Sequence, residues 1–287
     1  DDGLRVPRVI SIDGGTEMDA WNADIAARNE AIANGLVDPT TDNMLRLSTH
    51  GRQAALDLRL VGRTPGTDTK TERAAEEIYR IWDATKDNVY KDAGGKASPR
   101  TGALQMVFCD MSTPKNTGEW DAYHALKNAL VERGIDSGTI RFMHEANTDE
   151  KKEELFKQAR SGDISVLIGS TAKMGVGTNI QDRAIAMHHL DAPWRPADVS
   201  QRDGRIVRKG NQNNEVEIIR YVTEKSFDSY MWQTLERKQS FISQVITGRV
   251  SERSVEDIGD TTMTFAQVKA IATGDPDILE RTDIEAN

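Results

Sequence analysis

The stretch from residue 103 to residue 247 alternates short apolar runs with amphipathic patterns, and this alternation restricts the possible folds more than any other feature. Patterns of helical spacing separate the runs, and several end at a glycine, the usual C-terminal stop of a helix. Strands that alternate with helices predict an α/β fold with a doubly wound, mostly parallel sheet flanked by helices. The five runs predicted to be buried strands are 103–110, 139–144, 164–170, 184–191 and 215–222.

Boundary signals define two of the intervening helices. Asn147 is predicted to be the N-cap of the first, with Glu150 three residues later completing a capping box. Gly162 is predicted to end that helix. Pro196 lies in the first turn of the second helix and Gly210 is its stop signal, so this helix is expected to run between them.

The regions on either side of the alternating stretch have a different character. Residues 1–68 are polar and lack the strand–helix rhythm, and their helical patterns predict a mostly helical N-terminal extension. The Gly, Thr and Pro content of residues 62–70 predicts a linker or turn. The sheet domain is therefore expected over residues 69–247, with a polar, partly helical tail at 248–287.

Composition restricts the partners and the compartment. A formal net charge of −9 argues against attraction of nucleic acid to the whole surface, so such a contact would need a local basic patch. No apolar run approaches the roughly 18 to 20 residues that span a bilayer, and no charged-then-apolar leader opens the chain. The single cysteine, Cys109, excludes an internal disulfide and is typical of a reducing compartment. We therefore expect a cytoplasmic protein with no membrane partner.

Polar and charged residues follow the predicted strands directly. They lie in segments 110–115, 144–147, 170–179 and 191–195, each just after a predicted strand. In open α/β sheets, ligands bind outside the carboxyl ends of the strands. The sequence therefore predicts that these four segments build a ligand site at one edge of the sheet.

The segment GSTAKMGVGTNI, residues 169–180, combines glycines with short polar side chains. Gly175 and Gly177 allow the backbone to approach a ligand closely, and the neighbouring hydroxyl and amide groups suit phosphate oxygens. A lone G-x-G after a strand is also typical of an ordinary tight turn, so this segment alone supports either interpretation. The pattern G-x-x-x-x-G-K-[ST] does not occur in the sequence, which excludes binding of a nucleoside triphosphate by a P-loop of this chain.

The segment SQRDGRIVRKGN, residues 200–211, places Arg202, Arg205 and Arg208 three residues apart. On the helix predicted between Pro196 and Gly210, residues at this spacing would share one face. Arginine side chains bind phosphates or carboxylates with two parallel hydrogen bonds. The alternative is a solvated helix face that forms surface ion pairs.

Together, these segments resemble motifs V and VI of superfamily 2 helicases and translocases, in particular the Swi/Snf-type branch. That branch combines an ST-x-x-G-G-x-G-x-N loop, a D-x-x-W-N-P turn and a Q-x-x-x-R-x-x-R-x-G-Q helix. The final glutamine of this pattern is Asn211 here, and the segment MVFCDMSTPK, residues 106–115, resembles motif IV. The combination is also similar to helicase-related proteins of phages, plasmids and conjugative elements that are often linked to adenine DNA methyltransferases. The matching residues are Ser170, Thr171, Gly175, Gly177, Asn179, Asp191, Trp194, Pro196, Gln201, Arg205, Arg208 and Gly210.

The resemblance implies that the sheet domain is the second, C-terminal RecA-like lobe of an ATP-dependent DNA helicase or translocase from a bacterial or phage-infected cell. It implies that a first lobe upstream carries the P-loop lysine and the carboxylates for magnesium, so that this chain alone hydrolyses no ATP. The implied cofactors are ATP and Mg²⁺, held mainly by that first lobe. The implied partners are DNA, the N-terminal RecA-like lobe and a DNA methyltransferase domain.

The resemblance also implies roles for individual residues. Arg205 and Arg208 would be catalytic arginine fingers that reach the γ-phosphate from the opposite lobe. The implied ATP-binding residues are Gln201, Gly175, Gly177 and Asn179. The implied DNA-binding residues are Ser170, Thr171, Lys173, Ser112, Thr113 and Lys115.

Other conspicuous residues are expected to be structural. His188 and His189 are adjacent on a predicted strand and would face opposite sides of the sheet, so no metal site is predicted. Cys109 is expected in the core, and Trp194 would either pack its turn or touch DNA. Two other functions stay open: a non-catalytic, helicase-derived module for DNA binding or scaffolding, and an unrelated doubly wound enzyme such as a nucleotide-sugar transferase.

Overall fold

The computed structural model describes residues 7–92, 94–115, 117–174, 179–246 and 264–273. Within these residues the chain forms two compact units. The first contains the strand at residues 8–12 together with residues 69–193 and 197–222. The second contains residues 13–68, 194–196 and the chain from residue 223 onward.

The first unit is built on a six-stranded sheet. Five strands lie where the apolar runs predict them, and the sixth, β1, was not predicted, because only its last residue is buried. The strand order is β1-β6-β5-β2-β4-β3, and β3–β4, β4–β2, β2–β5 and β5–β6 pair in parallel. The strands are β1 (Arg8–Ile12), β2 (Leu104–Phe108), β3 (Ile140–Phe142), β4 (Val166–Gly169), β5 (Ala184–His189) and β6 (Glu217–Thr223).

Helices connect these strands, as the alternating pattern predicts. The α-helices that lie wholly or mainly in this unit are α3 (Lys70–Thr85), α4 (Ala122–Glu132), α5 (Asp149–Ser161), α6 (Thr171–Met174) and α7 (Pro196–Asp203). Short 3-10 turns lie at Ser137–Thr139, Met143–Glu145 and Gln181–Arg183. The helix over 149–161 stops at Gly162 as predicted, but its N-cap is Thr148, whose side chain accepts from the backbone of Lys151, and not Asn147.

The helices cover both faces of the sheet. Successive side chains of β2 point to opposite faces. Met106 and Phe108 pack on one face in a core cluster with Phe156 of α5. On the other face, the Gln105 amide donates to the carbonyl oxygen of Ile78 in α3 at 2.8 Å. The predicted fold class, an α/β doubly wound and mostly parallel sheet, is therefore confirmed.

The helix predicted between Pro196 and Gly210 is shorter in the structure. It ends at Asp203, and the backbone N–H of Arg205 donates to the carbonyl of Arg202 at 2.9 Å in a tight turn. The prediction that three arginines share one helix face is therefore wrong. The turn of residues 204–208, called here the arginine turn, carries Arg205 and Arg208 outside the helix.

The second unit is helical. Its α-helices are α1 (Gly15–Ala33), α2 (Met44–Leu56), α8 (Phe227–Ile246) and α9 (Phe265–Thr273), with a 3-10 turn at Leu58–Val61. Gly51 of α2 lies so close to the Phe227 ring that any side chain there would collide with it. None of the helices in the described part of the chain combines the length and apolarity that crossing a membrane needs. The predicted domain boundaries at residues 68 and 247 stay predictions.

Candidate functional site

The carboxyl ends of three central strands meet through direct hydrogen bonds, as the parallel sheet predicts. Asp191, which follows β5, accepts at Oδ2 from the backbone N–H groups of Asp110 (2.6 Å) and Met111 (2.7 Å), which follow β2. Asp110 accepts in turn from the backbone N–H (2.6 Å) and the hydroxyl (2.8 Å) of Thr171, which follows β4. The segments after β2, β4 and β5 are therefore fixed to one another at this edge.

Arg202 of α7 lies at the centre of these contacts, and its side chain is fully buried. Its guanidinium donates to Asp110 Oδ2 at 2.7 Å and to Asp191 Oδ1 at 3.2 Å. It also donates to the Thr171 hydroxyl and the Asp191 carbonyl, at 2.8 and 2.9 Å. We call Asp110, Thr171, Asp191 and Arg202 the strand-end network. Arg202 therefore holds the sheet edge together and does not face a ligand at the surface.

Asp110 and Arg202 of the strand-end network stabilise each other's charged form. Burial alone would raise the pKa of Asp110, but the positive charge of Arg202 and the hydrogen bonds from Thr171 outweigh it and lower that pKa. Burial alone would lower the pKa of Arg202, but the charges of Asp191 and Asp110 outweigh it and raise that pKa. The ion pair therefore stays charged at neutral pH.

His189, the last residue of β5, adjoins this network. Its Nδ1 lies 3.3 Å from a guanidinium nitrogen of Arg202 and its Nε2 lies 2.8 Å from Oδ1 of Asp203. A guanidinium only donates, so Nδ1 accepts and the ring proton is assigned to Nε2, which donates to Asp203. Complete burial lowers the pKa of His189, so the imidazole is neutral at physiological pH.

His188 faces the other side of the sheet, as the alternation of a strand predicts. Its Nδ1 lies 2.9 Å from the Tyr221 hydroxyl and its Nε2 lies 2.9 Å from Gln105 Oε1. Burial lowers the pKa of His188 to about 3. The two adjacent imidazoles therefore contact different residues on opposite faces of the sheet.

The arginine turn presents two neighbouring cations. Arg205 is 8% exposed, whereas Arg208 is exposed to solvent. Burial lowers the pKa of the Arg205 guanidinium, and the positive charge of Arg208 lowers it further. Two adjacent cations of this kind favour a bound anion, because an anion relieves their mutual repulsion.

The residues assigned to ATP through the resemblance divide into three groups. Gln201 is exposed on α7, one residue before the buried Arg202. Asn179 is exposed, and its carbonyl accepts from Arg160 at 3.1 Å. Gly175 and Gly177 lie outside the described residues.

The residues assigned to DNA around β4 differ in accessibility. Ser170 is buried, and its hydroxyl accepts from the backbone N–H of Lys173 at 3.3 Å. The hydroxyl of Thr171 belongs to the strand-end network. Lys173 is exposed on α6, and its charge helps to lower the pKa of His144, after the larger effect of burial. In this group the ammonium of Lys173 is the cation available to a phosphate.

The residues after β2 that the resemblance assigns to DNA also differ in accessibility. Ser112 is 2% exposed, and its hydroxyl accepts from the backbone N–H of Ala122 at 2.9 Å, at the start of α4. Its assignment as a DNA contact stays a prediction, and in this structure the side chain is buried and supports the helix. Thr113 and Lys115 are exposed. Lys115 forms an ion pair with Glu119 at 2.8 Å, with which a phosphate would have to compete.

Cys109 and Trp194 are explained by packing. Cys109 is fully buried, and burial raises the pKa of its thiol, as expected of a core cysteine. Trp194 is half-buried in the second unit, where the Arg52 guanidinium lies 4.7 Å from its ring centroid. This contact supports the interpretation that Trp194 packs its turn.

The site does not fit a magnesium ion. The Asp110 and Asp191 oxygens accept from backbone N–H groups, from Thr171 and from Arg202, which leaves no carboxylate set open to a cation. Across the described ranges, no three His, Cys, Asp or Glu side chains are grouped so that they could hold a metal ion. Arg205 and the exposed Arg208 are cations, which attract anions and not metal ions.

Sequence reasoning missed the structural importance of four residues: Asp110, His189, Arg202 and Asp203. Asp110 and Asp191 are the first carboxylates after two apolar strands, and this position was the available signal. The partner of each carboxylate could not be identified, because it depends on how strands distant in sequence are ordered in the sheet.

Comparisons with known proteins agree with the helicase resemblance. Residues 102–210 match the family model described as the helicase conserved C-terminal domain. This span contains the strand-end network and the arginine turn. The coarse prediction of a helicase C-terminal domain is therefore confirmed for these residues.

Three relatives match parts of the chain. Over 141 residues it is 33% identical to the defense against restriction protein B of Escherichia phage P1, covering 49% of this chain and 6% of that protein. Over 117 residues it is 31% identical to the uncharacterized ATP-dependent helicase YqhH of Bacillus subtilis, covering 41% and 20%. Over 94 residues it is 33% identical to the DNA repair protein RAD5 of Candida albicans, covering 32% and 8%. The matches thus span a fifth or less of each relative.

Among solved structures, the crystal structure of the DUF1998 helicase MrfA bound to DNA is similar, with a TM-score of 0.36 and 18% sequence identity. The match covers 49% of this chain and 18% of that one.

Proposed function

We propose that this chain supplies the C-terminal lobe of an ATP-dependent DNA helicase or translocase of superfamily 2. In this proposal, Arg205 and Arg208 contact the γ-phosphate of an ATP molecule that is held mainly by a separate N-terminal lobe. The observation that carries the proposal is the arginine turn, which follows the buried Arg202 of the strand-end network within a few residues and carries Arg205 and the exposed Arg208. The Bacillus subtilis relative, whose name is that of an ATP-dependent helicase, supports the same function.

The charge distribution explains why two of the three arginines are candidates. Asp110 and Asp191 neutralise Arg202, and its side chain is buried. The pKa of Arg205 is instead lowered, first by burial and then by the positive charge of Arg208. A phosphate between them would remove this repulsion and accept their hydrogen bonds.

The backbone holds the arginine turn in place before any ligand arrives. The N–H groups of Arg205 and Ile206 donate to the carbonyls of Arg202 and Asp203, at 2.9 and 3.2 Å. The Asn211 amide donates to the carbonyl of Ile206 at 3.1 Å. Groups that are fixed in this way stabilise developing charge without first having to reorganise.

When bound, mainly by the separate N-terminal lobe, ATP would supply the phosphoryl group and Mg²⁺ would neutralise part of its charge. Arg208 is exposed and can reach a ligand bound to a partner lobe, while Arg205 is largely enclosed and supports it. Their guanidinium groups would stabilise the charge that develops on the transferred phosphoryl oxygens. In related phosphoryl-transfer enzymes, such an arginine is worth about 10³ to 10⁵ in rate.

DNA contacts are proposed for exposed residues near the strand ends. Lys173 and Thr113 are accessible, and Lys115 becomes available when a phosphate displaces Glu119. These local groups are consistent with an overall acidic chain, because phosphate contacts need a positive patch and not a positive surface. A DNA methyltransferase partner and an origin in a mobile element stay predictions from the resemblance.

The test is ATP hydrolysis by the full-length protein, with and without duplex DNA. We expect DNA to stimulate turnover and Arg208→Ala to abolish it, while Lys209→Ala, which removes the next exposed cation, stays within about twofold of wild type. The 287-residue chain alone should show negligible turnover. Absence of turnover in the full-length wild type would favour a non-catalytic module for DNA binding or scaffolding.

A further inference from the structure

The residue just before the arginine turn contacts side chains of two strands. Asp203 is the last residue of α7, and its Oδ1 accepts from His189 of β5 at 2.8 Å. Its Oδ2 lies 3.9 Å from a guanidinium nitrogen of Arg220 in β6. Arg205 follows only two residues later, so a displacement of Asp203 is transmitted directly to Arg205.

His189 is itself held firmly. Its ring lies 6.0 Å from the Phe108 ring in a stacked arrangement, with an angle of 19° between the planes. The guanidinium of Arg202 bonds its Nδ1, which leaves the Nε2–H directed at Asp203. The imidazole therefore has one orientation and one tautomer, and it connects the strand-end network to the start of the arginine turn.

We infer that His189 is a positioning residue for the arginine turn: through Asp203 it fixes the location of Arg205 and Arg208. This inference rests on the proposed function of those two arginines. His189 touches neither ATP nor DNA in this account, and its effect on turnover is indirect.

His188 provides a matched control for this role. Both histidines are fully buried neighbours on β5, and both rings engage two partners. The partners of His188 are Tyr221 and Gln105, which belong to β6 and β2 and not to the arginine turn. A purely structural contribution should therefore be similar at the two positions, whereas a positioning role belongs to His189 alone.

The expected effect is on turnover more than on binding. A displacement of a catalytic group by about 1 Å can lower a rate by about 100-fold. His189→Leu removes the hydrogen bond to Asp203, and we expect kcat to fall by about 10- to 100-fold with a much smaller change in the KM for ATP. Gln can place an amide N–H near the position of Nε2, so His189→Gln should recover most of the turnover.

The experiment measures DNA-stimulated ATP hydrolysis by the full-length protein for wild type, His189→Leu, His189→Gln and His188→Leu, with the melting temperature of each. The inference is supported if His189→Leu loses kcat, His189→Gln regains it, and His188→Leu keeps it despite similar thermal destabilisation. It is overturned if His189→Leu matches His188→Leu in kcat, or if His189→Gln gives no recovery.

A second variant covers the case in which His189→Leu does not fold. Asp203→Ala removes the other partner of the same hydrogen bond at a partly exposed position, and it should lose kcat to the same extent. Turnover within twofold of wild type for Asp203→Ala would overturn the inference. Wild type without DNA-stimulated turnover, or Arg208→Ala with normal turnover, would instead refute the proposed function.

Discussion

The substitution Arg202→Met tests the strand-end network directly. Methionine keeps an unbranched side chain at this position but removes the guanidinium that donates to Asp110 and Asp191. Two buried or partly buried carboxylates would then lack their counter-charge. Removing one partner of a buried ion pair typically costs about 3 to 5 kcal/mol, because the remaining charge stays desolvated.

The assay is guanidinium chloride unfolding of the chain, followed by circular dichroism. With a typical slope of about 2 to 6 kcal/mol per molar denaturant, this loss moves the midpoint down by about 1 M at pH 7. A control is available in Arg183, which is equally buried but donates to neutral oxygens, including the carbonyls of Arg160 and Arg100.

The pH dependence separates a charge effect from a packing effect. In wild type the pKa of Asp110 is lowered, so its contribution to stability is complete above the ordinary value of about 3.9 and is lost as the pH falls through the lowered value. In Arg202→Met, burial without the cation raises that pKa, and protonation relieves the buried charge. The variant should therefore become more stable as the pH falls from 7 to about 5. Over the same range, the titration of Asp110 should not change the stability of wild type.

The difference in unfolding free energy between wild type and Arg202→Met should consequently become smaller as the pH falls, while the difference between wild type and Arg183→Met should stay constant. A loss below about 1 kcal/mol at pH 7 would refute the buried ion pair. A difference for Arg202→Met that does not depend on pH would refute the assignment of the charge effect to Asp110. A difference in unfolding free energy that decreases equally for both arginine variants would refute it as well.

Two further predictions concern α5 and its ends. Gly162 has a φ of +92°, and an added Cβ would collide with the Arg183 guanidinium. Gly162→Ala should therefore lower the melting temperature more than Gly134→Ala, since Gly134 has a similar φ of +102° but open space around it. Equal shifts in melting temperature would contradict the collision. Thr148→Ala should cost about 1 kcal/mol in unfolding free energy through loss of the N-cap, whereas Asn147→Ala should stay within about 0.5 kcal/mol in the same denaturation assay; the reverse order would restore Asn147 as the cap.

The sheet was predictable because central parallel strands are buried on both faces. Such strands appear in a sequence as continuous apolar runs, and all five residues of β2 are indeed buried. The edge strand β1 lacks this signal, since Val9 is exposed and only Ile12 is fully buried. Its place in the sheet depends on pairing with β6, which local sequence does not encode.

The end of α7 was not predictable from spacing. Arginines three residues apart fit a helix as well as a turn, and the glycine at position 204 is compatible with both. Tertiary contacts decide the outcome. His189 holds Asp203, and the Asn211 amide binds the carbonyls of Ala184 and Ile206, which fixes the chain in a turn.

The roles of individual polar residues required the tertiary structure. Ser112, Thr171 and Arg202 look in the sequence like phosphate ligands, because short hydroxyls and arginines are typical of such sites. In the fold these side chains form hydrogen bonds within the protein. The Ser112 hydroxyl accepts from the backbone at the start of α4, and the Thr171 hydroxyl accepts from Arg202. The resemblance points to a region of the chain, whereas burial in the folded structure restricts which of its side chains are accessible to a ligand.

The most direct test of the central claim is a structure of the full-length protein with a non-hydrolysable ATP analogue, Mg²⁺ and DNA. We predict that the Arg208 guanidinium lies within hydrogen-bonding distance of the γ-phosphate, with Arg205 beside it and Arg202 still buried against Asp110 and Asp191. A bound analogue whose γ-phosphate is contacted by neither Arg205 nor Arg208 would contradict the claim.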